Sequence, residues 1–98
     1  MAHGSIVEVE KLEAGHVAFL SHQWLVNRSE DGRVIRLLEA RGNVKAEAFF
    51  NFDTQDWTFT TYDELCTEVE TREGVRSLTQ LNVLFRVFHE SVVETFSS

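Results

Sequence analysis

The chain has no proline and one cysteine, Cys66, in 98 residues. A single thiol cannot close an intrachain disulfide, so nothing in the cysteine usage points to an oxidising compartment. No apolar run approaches the roughly 18–20 residues that a membrane-crossing helix needs. The N-terminus lacks both the basic start and the apolar stretch of a secretory signal. Together these absences make a cytoplasmic location the expectation, with no membrane partner. The phosphate-cradling patterns G-x-x-x-x-G-K-[ST] and G-x-G-x-x-G are missing too, which excludes nucleotide binding by those motifs. Basic residues are scarce: nine Lys and Arg stand against sixteen Asp and Glu, a net charge of −7. A field of that sign repels phosphate backbones, so direct nucleic-acid binding is not expected.

Apolar residues are not lacking. A hydrophobic share of 43% and a charged share of 26% are those of an ordinary folded protein. Eight Phe, two Trp and one Tyr supply large core groups. The length suits one domain and not two. Residues 6–98 are read as that domain. Residues 1–5 are read as a tail outside it, since Gly4-Ser5 has the look of a cloning junction.

The hydrophobic rhythm predicts an α+β fold in which strands precede helices. Ile6, Val7 and Val9 alternate with Glu8 and Glu10, which suggests a short edge strand. His16 to Val26 is aromatic-rich and unbroken, the pattern of a strand buried on both faces. Arg33–Ala40 and Val44–Phe52 flank Arg41-Gly42-Asn43, a connection suited to a hairpin. In the second of these, Val44, Ala46, Ala48, Phe50 and Phe52 share one face, with Lys45 and Glu47 on the other. Trp57 and Phe59 continue the pleat after a polar turn. The sheet so predicted has four or five antiparallel strands within residues 6–60.

Near Thr61 the spacing changes. Thr61-x-x-Glu64 has the form of a capping box, and Tyr62, Leu65, Cys66 and Val69 fall at helical intervals, with Gly74 as a stop. A helix over 62–73 is therefore expected. Ser77-x-x-Gln80 opens a second helix, 78–96, with Leu81, Leu84, Phe85, Phe88 and Val92 as its main stripe and Val83 and Val87 beside it. A rival reading makes residues 82–88 a strand, given their β-branched and aromatic content. The expected core comprises Val17, Phe19, Leu25, Val34, Leu38, Phe50, Phe52, Trp57, Phe59, Leu65 and Val69, with the stripe residues of the second helix.

No motif carries chemistry strongly. Ser21 and His22 would point to opposite faces of a strand, which defeats proton transfer between them. His16 and His22 on one straight strand would lie about 20 Å apart, beyond the reach of one metal ion. Cys66 falls on an apolar stripe, where an inert thiol is usual. No catalytic, metal or cofactor site is assigned, and an enzyme would have to use His22 or His89 with a carboxylate. The leading expectation is an acidic, non-catalytic protein-interaction or regulatory domain, a homodimer or an inhibitor of a basic partner. Its surfaces would be the acidic face carrying Asp63, Glu64, Glu68 and Glu70 and the helix flank carrying Val83 and Val87. The alternative is a small-ligand domain, with an aromatic pocket between sheet and helices lined by Trp24, Trp57, Phe59 and Tyr62.

Overall fold

A computed structural model of the chain describes residues 8–21, 24–39 and 41–97. It shows an α+β arrangement: an antiparallel sheet followed by one C-terminal helix. The strands are β1 (Val17–Ser21), β2 (Trp24–Arg28), β3 (Val34–Glu39), β4 (Val44–Asn51), β5 (Asp56–Tyr62) and β6 (Glu68–Val75). They form a single meander in chain order, so β1 and β6 are its edges. The helix α1 (Leu78–Ser97) lies on one face, here called the inner face.

Side-chain alternation across the sheet fixes what α1 covers. Val26, Leu37 and Ala46 are partners across β2, β3 and β4, and all are buried. Ile35, Ala48 and Phe59 form the next inner row. Small Ala46 and Ala48 leave room in this layer for the large Leu81 and Phe85 of the helix. Phe85 is fully buried and meets Phe59 edge-on, with ring centroids 4.9 Å apart. Burying one such ring contributes about 1.5–3 kcal/mol. Trp24 stacks edge-on against His89 at 5.5 Å, which pins the middle of α1 over β2.

The helix begins as its sequence predicts. Ser77 Oγ accepts the N–H of Gln80 at 3.1 Å, and Gln80 Oε1 accepts that of Arg76 at 2.8 Å. One free backbone donor of the first turn is thereby satisfied, and the chain entering the helix is tied back to it. Residues 82–88 are helical, so the rival strand reading fails there.

The other predicted helix does not exist. Residues 62–73 are the end of β5, a turn, and most of β6. Thr61, the supposed cap, is a buried residue of β5. Asp63 organises the reversal instead: its Oδ1 accepts the N–H groups of Leu65 and Thr67, each at 2.9 Å. Cys66 turns the chain with φ 62°. Leu65 and Val69, expected in the core, are 83% and 64% exposed. Gly74, expected as a helix stop, sits in β6 with φ 76°, beside a register shift opposite Trp57 and Phe59. A glycine at such a bulge avoids the steric cost of positive φ.

The N-terminal half differs in smaller ways. The predicted long strand over 16–26 is two strands, because the chain reverses between Ser21 and its partner Trp24. Ile6 and Val7 lie outside the described residues, while Val9–Lys11 forms a 3-10 turn and not an edge strand. This turn docks on the helix: Val9 is fully buried, and its N–H donates to Asn82 Oδ1 at 2.8 Å. Arg28 secures the same segment, giving Nη1–H to the Leu12 carbonyl at 2.9 Å and Nε–H to that of Gly32 at 3.0 Å. The sheet thus has six strands and extends to residue 75, where four or five strands ending at 60 were expected.

Candidate functional site

The acidic residues singled out in the sequence do not share a helix face. Asp63 and Glu64 belong to the β5–β6 turn, while Glu68 and Glu70 lie on opposite faces of edge strand β6. Glu68 pairs with outward-facing Tyr62 and accepts the Thr71 hydroxyl at 2.5 Å. Glu70 points inward beside Arg72, 3.6 Å away. Charges turned inward on an edge strand discourage another strand from pairing with it. Val83 and Val87 are on α1 as expected, 51% and 59% exposed.

The predicted aromatic pocket is not formed by its four residues together. Trp24 and Trp57 are core groups, the first against His89 and the second 5.2 Å from Phe50. Phe59 is also buried but borders a groove beside α1. Tyr62 stands at the rim of the sheet, and its hydroxyl reaches Glu47 at 3.5 Å. Desolvation, then the nearby Glu47 carboxylate, raises its pKa.

Of the two histidines considered for catalysis, His22 lies outside the described residues. His89 is buried, with Nε2 unpartnered among the described residues, and desolvation lowers its pKa against a weaker opposing effect of Glu90. That is a packed imidazole without a carboxylate hydrogen-bonded to it. His16 is exposed near Glu13, and Cys66 is exposed in its turn. No group of three or more His, Cys, Asp or Glu among the described residues is placed to hold a metal ion.

Two other surfaces stand out. The first is the outer face of the sheet, which no described element covers. Phe19, Leu25, Leu38 and Val44 are successive cross-strand partners there, forming an apolar row over β1–β4. Phe19 is 78% exposed, and Val17 and Phe49 on the same face are each 51% exposed. Val17 and Phe19 are expected in a strand buried on both faces, but α1 covers only the other side of the sheet and leaves them exposed. Beside this row runs a polar one, in which the Arg36 Nε–H donates to Glu47 Oε2 at 2.7 Å.

The second surface is a groove between α1 and strands β5–β6, made of three adjoining cavities. The first, about 320 Å³, is bordered by Val75, Gln80, Val83 and Leu84. The next, about 390 Å³, lies among Phe59, Leu84, Val87 and Phe88. The last and largest, about 480 Å³, has Leu65, Phe88 and Val92 as apolar walls and Lys45, Asp63 and Glu64 among its polar residues. Lys45 was expected to point away from the Ala46 face. Leu37 pairs with Ala46 but Leu38 pairs with Val44, so Lys45 is the unpaired residue of a bulge. The bulge re-aims its side chain inward, where it is 5% exposed.

No described helix is long and apolar enough to cross a membrane. No protein-family model matches the chain, and neither a curated protein nor a solved structure matches it.

Proposed function

We propose that the chain is a non-catalytic protein-interaction domain that self-associates through the outer face of its sheet. The observation that carries this is the apolar row Phe19, Leu25, Leu38 and Val44, open to solvent at Phe19. An antiparallel sheet can leave one face wet, but that face is then usually polar. A contiguous apolar patch of this kind marks an interaction surface. Two sheets packing face to face would bury the rows of both copies in one isologous contact.

Charge favours a second copy over a basic partner. The net −7 is concentrated elsewhere, notably at residues 63–73. On the patch itself Arg36 and Glu47 neutralise each other across β3 and β4, so two copies meet there without like charges opposed. Regulation through assembly is the role that suits such a domain.

Sedimentation velocity over a range of concentrations tests the reading. The wild type is expected to dimerise, and Phe19→Asp to sediment as a monomer with unchanged circular dichroism. A wild type that stays monomeric at hundreds of micromolar, or a Phe19→Asp protein that dimerises equally well, overturns it.

A further inference from the structure

We infer that the groove beside α1 binds a long-chain carboxylate, with its head on the Lys45 ammonium and its alkyl tail along the helix. Lys45 is 5% exposed, yet its one hydrogen bond is a long contact of 3.5 Å to the Asp63 carbonyl. No described carboxylate makes an ion pair with it. A buried cation without a counter-ion is costly, and an anionic ligand relieves that cost. The Asp63 and Glu64 carboxylates border the same cavity, yet neither forms an ion pair with the Lys45 ammonium. The bulge at Lys45 interrupts the β3–β4 ladder to bring this ammonium to the inner side, a device common beside binding sites.

The walls indicate the rest of the ligand. Leu65, Phe88 and Val92 flank the lysine end. The adjoining cavity shares Phe88 and Ser91 with it, and the third shares Leu84 and Arg72 with the second, so the three cavities follow one another along α1. Between Gln80 and Val92 the helix advances about 18 Å, room for an extended alkyl chain. One buried cation matches one negative charge. A phosphate monoester would bring up to two charges to a rim that already carries Asp63 and Glu64.

Titration calorimetry and amide NMR with dodecanoate, below its micelle concentration, test this. Saturable one-to-one binding is expected, with dodecanol weaker by at least about tenfold, the usual worth of a charged hydrogen bond. Shifts should centre on Leu65, Phe88 and Val92. Lys45→Met should lose the preference for acid over alcohol, while Lys45→Arg keeps it. Equal affinity for acid and alcohol overturns the inference, as do absence of saturable binding and shifts centred on Val17, Phe19 and Phe49. The acid–alcohol comparison uses the wild type, so it decides the matter even if Lys45→Met does not fold.

Discussion

Replacing Asn82 by alanine tests how the N-terminal segment is held. Asn82 is 6% exposed, and its Oδ1 accepts the N–H of fully buried Val9 at 2.8 Å, a bond spanning 73 residues of sequence. Truncation removes the acceptor but leaves the donor inside the core. The expected loss is about 1–3 kcal/mol, since an orphaned buried N–H costs more than the net worth of an average hydrogen bond. For a domain of this size each 1 kcal/mol lowers Tm by roughly 4–8 °C, so a drop of about 5–20 °C should follow. Urea unfolding, followed by both far-UV circular dichroism and tryptophan fluorescence, measures the change. Val83→Ala, next in sequence but 51% exposed, should alter stability by less than about 0.5 kcal/mol. If Asn82→Ala is as stable as Val83→Ala, the segment is not fastened through this bond and its place in the core is wrong.

Two further perturbations probe other parts of the chain. Burial holds the His89 pKa below its usual value of 6.5, so the unfolded chain takes up a proton first as pH falls. The stability from neutral His89 is present above pH 6.5 and is lost as pH drops toward the folded pKa. His89→Phe should flatten the urea midpoint between pH 7.5 and 5.5 relative to wild type; parallel profiles would refute this. Gly42 closes the β3–β4 hairpin with φ 99°, and nothing lies within 4 Å of an added Cβ. Gly42→Ala therefore incurs conformational strain alone, roughly 1–2 kcal/mol. A neutral result in thermal unfolding would mean the turn readily adopts another conformation.

The pleated meander was legible wherever period-two alternation met a glycine turn, as around Gly42. The helix start at Ser77 was legible because its hydroxyl accepts the Gln80 N–H as the spacing implies, although Gln80 reaches back to the N–H of Arg76 and not to that of Ser77. The helix over 62–73 was misread for a reason the structure exposes. Tyr62, Leu65, Cys66 and Val69 fit a helical stripe, but Thr67, Val69 and Thr71 also alternate with Glu68, Glu70 and Arg72. Two periods coexist in one short segment, and β-branched Thr and Val favour the strand. Pairing with β5 then decides the outcome, which no local propensity encodes.

The candidate surfaces were harder to read because each depends on which side of the sheet α1 occupies. The unbroken apolar run around Phe19 does not separate it from its neighbours Ala18 and Leu20, and a period of two would not say which set faces the helix. The inner rows are named by what α1 brings: Phe85 against Phe59 and His89 against Trp24. Once that side is taken, Phe19, Leu25 and Leu38 have no cover within the described chain. Lys45 obeys a different constraint, since a one-residue bulge reverses the parity of everything beyond it. Without the bulge its ammonium would join Arg36 and Glu47 on the wet face; with it, the side chain turns to the cavity bordered by Phe88 and Val92. Burying a cation this way lowers stability relative to an apolar residue at the same place. Lys45→Met should therefore raise the urea midpoint of the unliganded protein, and a lowered midpoint would show that the ammonium is held for the fold and not for a ligand.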